Sequence, residues 1–322
     1  MDTIKRLKFN IYIVKKALEA YFFDAKHFIE NSLLSGYSQD EERFLRMITL
    51  RAHVVEKGLT MPAMRPNFGE ENILALIDLC KAYASMTYDT SHTLYVSAIS
   101  VLFEYENTHI KLNKTIHPHI SEGIATLKSM FPNLQITEQL DIERDQVFRH
   151  CDFKEFAYLR HTIRNFEGDI DRAKINQAIA LAQTAPSACN RQPVRVHVIP
   201  RGKKFDNILQ IQHGNRGFGN TAAYLLVVVA SEAGYNGINE RHGMYVDGGI
   251  FIMNLLYALQ YYSIASCTLN CFMMPDEEKL LQLELQTKDR AIGIIAIGGC
   301  PEKLKVPRSQ RVPAKDIIIM HD

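Results

Sequence analysis

Two runs of apolar, largely β-branched residues constrain the fold of this chain most strongly, one at 224–230 and one at 291–298. Uninterrupted runs of this kind are typical of strands that are covered on both faces of a sheet. Shorter strand patterns occur at 194–199 and 264–267, and helical patterns occur around them at 171–183, 203–212 and 242–262. Strands that alternate with helices indicate a layered α/β or α+β domain in the second half of the chain.

In the first half of the chain the apolar residues recur at helical spacing instead. From residue 1 to about 150 apolar residues recur three and four positions apart, as at Ile73, Leu74 and Ile77, which predicts five or six helices. A chain of 322 residues usually forms more than one compact core. We therefore expect an all-α domain of unknown role at 1–150 and a second domain at 151–322. The glycine pattern of a dinucleotide-binding Rossmann domain is missing from both halves.

Charge and composition exclude several classes of function. The formal net charge is +1 and the basic residues are scattered, so no nucleic-acid partner is expected. No apolar stretch is long enough for a membrane span, and the first segment lacks the apolar core of a signal peptide, so the expected location is cytoplasmic. That first segment is amphipathic and basic, and two alternatives stay open: a helix packed on its own domain, or a helix lying on a membrane surface. The six cysteines lack zinc-type pairing, so we expect reduced thiols and no metal site.

The segment at 160–166 is the first candidate for chemistry. In an extended segment alternate side chains point the same way, so Arg160, Thr162 and Arg164 would converge on one anion. A guanidinium pair suits a phosphate, although an arginine-rich turn on the solvated surface is the alternative.

A second candidate is the short loop at 185–193. Its hydroxyl and amide groups, from Ser187, Asn190 and Gln192, suit hydrogen bonds to a polar heterocycle and its side chain. The alternative is a simple turn between a helix and a strand. Cys189 in this loop is either a redox-active thiol or a small residue that fills a turn.

Together, in this order and spacing, these segments resemble the FMN-dependent nitroreductase family. Four motifs carry the resemblance: Arg160, Thr162, Arg164 and Phe166; Pro186, Ser187, Asn190, Gln192 and Pro193; Asp247, Gly249, Asn254 and Leu255; and Gly299, Pro301 and Arg311. The resemblance covers 151–322. It implies an α+β domain with a central, mostly antiparallel sheet flanked by helices, preceded here by the all-α domain.

The resemblance also implies which residues bind FMN. The phosphate and ribityl end would be held by Arg160, His161, Thr162 and Arg164, with Arg311 and its neighbour Arg308 joining from the C-terminal segment. The ribityl chain and ring would contact Pro186, Ser187, Asn190 and Gln192, with Asn215 near the pyrimidine side. A backbone N–H around Leu269 and Asn270 would meet the flavin N5. No catalytic side chain is implied, because the flavin carries the redox chemistry.

By the same resemblance, the reaction is reduction of a small electron-poor acceptor with electrons from NADH or NADPH, on a homodimer. Two positions depart from the family pattern: Val194 replaces a frequent Trp, and Ser309 replaces a basic residue. Two other functions stay open. One is an accessory or partner-recognition protein, with or without flavin, in a pathway such as surface-polysaccharide biosynthesis, and the other is a flavin enzyme that uses oxygen.

The most distinctive part of the first half is 53–62, which resembles a segment found ahead of some long family members. His53, Glu56 and Lys57 would share one helical face near its C-terminus. A surface ion-pair cluster with Gly58 as the helix stop is one interpretation, and a contribution to a substrate pocket is the other.

Overall fold

The computed structural model describes residues 3–33, 36 and 40–321, with side chains described from residue 9 onward. The chain divides into two compact units. We call residues 1–140 with 307–322 the helical unit, and residues 141–306 the sheet unit.

The helical unit contains the helices that the apolar spacing predicted. Their bounds are α1 Thr3–Asn31, α2 Glu41–Leu59, α3 Glu70–Ala84, α4 Thr93–Lys111 and α5 Pro118–Met130. Local signals explain two of the starts: the Asp40 side chain accepts a hydrogen bond from the Arg43 N–H at 2.9 Å, and Pro118 opens α5. The prediction of a helical N-terminal region is confirmed, although residues 140–143, inside the predicted all-α range, form a strand.

Four of these helices, α2 to α5, share one apolar core. Tyr83 and Tyr95 stack at the centre of it with ring centroids 4.5 Å apart, and both side chains are fully buried. The Tyr95 hydroxyl donates to the Cys80 carbonyl at 2.8 Å, so the one polar atom of that ring is satisfied within the core.

Helix α2 ends differently from the expectation. It continues through Gly58 to Leu59, and the backbone N–H of Thr60 closes the last turn. A Cβ on Gly58 would lie 1.9 Å from the Phe68 ring. Gly58 is therefore required by close packing rather than by a helix stop.

Helix α1 is exposed along its described length. Leu18, Phe22 and Phe28 are each more than half accessible, and no described α1 residue belongs to the core cluster of the helical unit. Of the two alternatives for the first helix, packing on the apolar core of its own domain is not seen for the described residues 9–31. Among the described helices of the chain, every one falls short of the length and apolarity needed to cross a membrane.

The sheet unit is built on a four-stranded sheet. Its strands are β2 Val194–Pro200, β3 Tyr224–Ala230, β4 Ala265–Leu269 and β5 Arg290–Gly298, in the spatial order β2-β3-β5-β4. Every neighbouring pair is antiparallel. The apolar runs at 224–230 and 291–298 form the two central strands, β3 and β5, which pair with each other. This arrangement confirms the predicted, mostly antiparallel α+β domain.

Helices cover the sheet. They are α8 Arg172–Ala182, α9 Lys203–Gln212, α10 Gly243–Tyr261 and α11 Pro275–Leu285, with two short helices ahead of them, α6 Arg144–Val147 and α7 Phe153–Leu159. Residues of α8 and α10 share one buried cluster with Leu226, Val228 and Ile295 of the sheet. The strands β1 Leu140–Glu143 and β6 Lys303–Val306 form a separate two-stranded sheet. Helix α11 and this small sheet were not predicted.

Candidate functional site

The arginine segment 160–166 lies along the edge strand β4. The Ile163 N–H donates to the Ser266 carbonyl at 2.9 Å, and the Ile163 side chain is 2% exposed. Phe166 is buried and packs on Gly298, where a Cβ would lie 2.7 Å from its side chain. Ile163 lies between Thr162 and Arg164, so its burial agrees with the predicted alternation, and Arg160, Thr162 and Arg164 are half-buried at the alternate positions. Phe166 falls at the next alternate position and is nevertheless buried, so the alternation ends before residue 166.

One guanidinium in this segment is incompletely satisfied. The Nη1 atom of Arg164 is buried and has no hydrogen-bond partner in the part of the chain that the structure describes. Arg160 and His161 are half-buried and make contacts of their own. A buried, unpaired guanidinium N–H carries a large desolvation cost, so it is a strong candidate for binding an anion.

The segment ends in a tight contact with the end of β5. The Glu167 N–H donates to the Gly299 carbonyl at 2.9 Å. A Cβ on Gly299 would lie 2.0 Å from the Glu167 carbonyl oxygen. Only glycine therefore fits at position 299 without moving the arginine segment.

The loop at 185–193, between α8 and β2, has an unusual backbone. Cys189, Asn190 and Gln192 all have positive φ, at 50°, 55° and 49°. Asparagine tolerates this region, but cysteine and glutamine adopt it at a cost. Inside the loop the Ser187 hydroxyl accepts from the Gln192 N–H at 3.0 Å, and the Gln192 amide donates to the Asn190 side-chain oxygen at 3.1 Å.

Asp247 in α10 holds this loop. Its carboxylate is 4% exposed and accepts from the Ala188 N–H at 3.1 Å and from the Tyr235 hydroxyl at 2.8 Å. Burial first, and then the hydrogen bond to Asp247, raises the pKa of Tyr235. The sequence motif marked Asp247 but gave it no role, and the structure shows that it positions the loop.

An ion pair extends the same network. Arg191 of the loop lies 2.8 Å from Glu240, between its Nη1 and Oε1 atoms, and its guanidinium lies 5.5 Å from the centre of the Tyr235 ring. The Asn236 N–H first, and then Arg191, lowers the pKa of Glu240. Sequence analysis missed Tyr235 and Glu240, because neither belongs to a motif.

Asn254 fixes the backbone just before the loop. Its amide donates to the Ala182 carbonyl and to the Thr184 hydroxyl, both at 3.0 Å, at the end of α8. Leu255 is fully buried, whereas nothing lies within 4 Å of a Cβ built on Gly249. Two motif residues of α10 therefore hold the predicted flavin loop, Asp247 at Ala188 within it and Asn254 at the residues just before it.

A third cluster joins two residues that the sequence predicted separately. The Gln212 amide donates to the Asn270 carbonyl at 3.2 Å, and its side-chain oxygen accepts from the Asn215 amide at 3.1 Å. Gln212 is 5% exposed, Leu269 is buried and Asn270 is exposed. Gln212, which the sequence analysis missed, thus connects Asn215 with the end of β4.

A cavity of about 330 Å³ opens beside the loop. Pro186, Ser187 and Gln192 line it from the loop, and Asp247 and Phe251 line it from α10. The volume is at the lower end of the range for small-molecule sites, and the lining combines apolar walls with a few polar groups.

Arg308 and Arg311 lie in the helical unit. The Arg308 N–H donates to the Gln139 side chain at 2.8 Å and its Nε donates to the Glu138 carbonyl at 3.0 Å. The Arg311 Nη1 donates to the Ser309 carbonyl at 2.8 Å. Their predicted role at an FMN phosphate stays a prediction.

Comparisons with known proteins agree with the motifs. A family model described as Nitroreductase family matches residues 158–215, which include the arginine segment, the loop, β2 and α9. The comparison with curated proteins found no match.

Among solved structures, a nitroreductase family protein from Clostridium difficile 630 is 22% identical, with a TM-score of 0.45, over 53% of this chain and 99% of that one. One from Streptococcus pneumoniae TIGR4 is 20% identical, with a TM-score of 0.45, over 53% and 100%. CLA-ER, an enone reductase of gut-bacterial fatty acid saturation, is 16% identical, with a TM-score of 0.48, over 53% and 98%. On the matched segment and the fold described above, the C-terminal half of this chain is a nitroreductase family domain, preceded by a helical N-terminal region.

Proposed function

We propose that the C-terminal half is an FMN-dependent oxidoreductase that takes electrons from NADH or NADPH and reduces a small electron-poor acceptor. The observation that carries the proposal is the buried Arg164 Nη1, which has no partner among the described residues. The match of residues 158–215 to the nitroreductase family supports it.

The residues present fit an FMN phosphate at the arginine segment. Arg164 offers an unsatisfied donor, and Arg160 and Thr162 are half-buried at the alternate positions of the same segment. A phosphate oxygen would supply the missing acceptor, and its charge would offset the cost of the buried guanidinium.

The loop and its cavity fit the remainder of the cofactor. Pro186, Ser187 and Gln192 line the cavity, and Asn190 adds an exposed amide in the same loop. When bound there, FMN would supply the two-electron chemistry, while the protein orients it. Asp247 and Asn254 keep the loop in one shape, so little ordering is left for the binding step.

We also propose that the active form is a homodimer that meets through α10. The helix exposes an apolar stripe made of Val246, Ile250 and Met253, each more than a third accessible. An uncovered apolar stripe of this kind is typical of a protein interface. The six free cysteines suit a reducing compartment, which supports the cytoplasm as the location that we propose.

The test is an absorbance spectrum of the purified full-length protein after addition of FMN, followed by anaerobic titration with NADH and NADPH. We expect FMN to bind and to bleach with one or both nucleotides. Arg164→Ala should weaken FMN binding by about tenfold to a hundredfold, because it removes a charge-assisted hydrogen bond.

Arg172→Ala is the matched control, since Arg172 is an exposed residue at the start of α8. Equal FMN affinity in wild type and Arg164→Ala would contradict the phosphate assignment. If the wild-type protein bound no FMN at all, the accessory-protein alternative would take its place.

A further inference from the structure

Helix α4 of the helical unit carries a polar stripe on a buried face. Thr93, Ser97, Ser100 and Glu104 follow one another at spacings of four, three and four, so they share one side of the helix. Ser100 is 3% exposed and Glu104 is 2% exposed. Burying polar groups costs stability unless each finds a partner, so this stripe needs a structural or functional explanation.

The C-terminal end of the stripe has a structural explanation. Glu104 accepts from the Gln139 N–H at 2.9 Å and from the Gln139 amide at 2.8 Å. The Ser100 hydroxyl oxygen accepts from the Thr137 N–H at 2.7 Å. These bonds attach residues 137–139 to α4.

The N-terminal end of the stripe faces a cavity of about 220 Å³ instead. Glu56 of α2 lines this cavity, and its side chain is only 8% exposed. One of its oxygens lies 2.9 Å from His53 Nδ1. Five hydroxyl groups also line the cavity, from Ser91, Thr93, Ser97, Ser100 and Thr137. Glu56 therefore lines a polar cavity and also pairs with the more exposed His53.

A positive group stands at the same cavity. Arg308 lines it, and the bonds from Arg308 to Glu138 and Gln139 fix the position of this exposed residue. Within the described part of the chain, Glu56 pairs with His53 and Arg308 bonds Glu138 and Gln139, so the two charges do not neutralise each other. The lining thus combines the buried acidic residue Glu56 and the basic residue Arg308 with hydroxyl-bearing residues around them.

We infer that this cavity binds a small zwitterion of the amino-acid class. Its ammonium group would pair with Glu56 and its carboxylate with Arg308, and its polar side chain would meet the hydroxyls of Thr93 and Ser97. The cavity volume of about 220 Å³ is below the usual range for drug-sized ligands, which favours a ligand of amino-acid size over a nucleotide. The inference does not depend on flavin binding, because every residue involved lies in the helical unit.

The experiment uses the full chain and measures the unfolding temperature with each proteinogenic L-amino acid in turn, followed by calorimetric titration of those that raise it. Acetate and methylamine, each with one of the two charges, serve as ligand controls. We expect at least one amino acid to raise the unfolding temperature, and both controls to leave it unchanged. No shift with any amino acid, or an equal shift with acetate or methylamine, would overturn the inference.

Variants separate this cavity from other sites. Glu56→Gln keeps the shape of the side chain and should weaken binding by about tenfold to a hundredfold, because the charge-assisted bond to the ammonium is lost. Glu42→Gln, on the exposed face of the same helix, is the matched control and should bind as wild type. Ser97→Leu places a larger side chain in the cavity and should block binding. This variant tests the site independently in case Glu56→Gln does not fold. Unchanged amino-acid binding in Glu56→Gln or in Ser97→Leu would show that the ligand lies elsewhere.

Discussion

The contact between Gly299 and Glu167 gives a sharp test of how the arginine segment is held. In Gly299→Ala the new Cβ would lie 2.0 Å from the Glu167 carbonyl oxygen, whereas ordinary contacts begin at 3.4 Å. The backbone must therefore move by the difference, 3.4 − 2.0 = 1.4 Å. A movement of that size also breaks the hydrogen bond from the Glu167 N–H to the Gly299 carbonyl, now 2.9 Å long.

The magnitude follows from these two effects. Overpacking costs about 1–3 kcal/mol, and loss of the hydrogen bond costs about 1 kcal/mol more. Together they lower the free energy of unfolding by about 2–4 kcal/mol, which lowers Tm by roughly 5–15 °C for a unit of this size.

The assay is thermal unfolding followed by far-ultraviolet circular dichroism, since the chain has no Trp for fluorescence. Gly249→Ala is the matched control, because nothing lies within 4 Å of its new Cβ. It should raise the stability by at most about 1 kcal/mol, as expected for Gly to Ala in a helix. If Gly299→Ala and Gly249→Ala had the same Tm, the close approach of the arginine segment to the end of β5 would be wrong.

Three further changes probe the loop and the exposed face of α10. Tyr235→Phe removes the 2.8 Å bond to Asp247 and should cost about 1.5–3 kcal/mol in urea unfolding, whereas Tyr261→Phe, half exposed in the same unit, should cost little. Because folding raises the pKa of Tyr235, its hydrogen bond contributes fully to the free energy of unfolding below pH 10.0, the ordinary pKa, and this contribution is lost as pH rises above that value. The stabilities of wild type and Tyr235→Phe, measured against pH, should therefore converge at alkaline pH. Cys189→Gly should raise stability by about 1 kcal/mol and Cys189→Val should lower it, because φ is 50° at this position. Equal Tm values for the two variants would contradict a left-handed backbone at Cys189. Ile250→Asp should turn the proposed dimer into a monomer in sedimentation experiments, with Leu283→Asp on exposed α11 as control, and an unchanged mass would exclude an α10 interface.

The elements that sequence predicted well are those whose burial leaves a strong pattern. Strands β3 and β5 are mostly buried, so nearly every residue is apolar, and the runs 224–230 and 291–298 stand out at once. Helix α11 was missed because only Leu281 and Leu285 are buried, which leaves a weak periodic signal. Its Pro275 and the acidic residues after it were start signals that could have found it.

The candidate site was predicted where residues are close in sequence and missed where they are not. The arginine segment and the loop are each a single short stretch of sequence, so the chemistry of each can be predicted from a few neighbouring residues. Gln212 and Asn270 are 58 positions apart and meet only in the folded chain. Tyr235 acts through Asp247 and carries no local pattern of its own. Such positioning residues depend on tertiary contacts, which one sequence does not specify.

The loop also shows why its positioning residues matter more than their number suggests. Three departures into the left-handed region, at Cys189, Asn190 and Gln192, cost of order 1–3 kcal/mol each. Such a backbone persists only where other contacts fix it, and the Asp247 bond to Ala188 and the Asn254 bonds to residues just before the loop provide contacts of this kind. The shape of the loop is therefore set by α10 before any ligand binds, so changes in α10 should alter ligand affinity without touching the ligand itself.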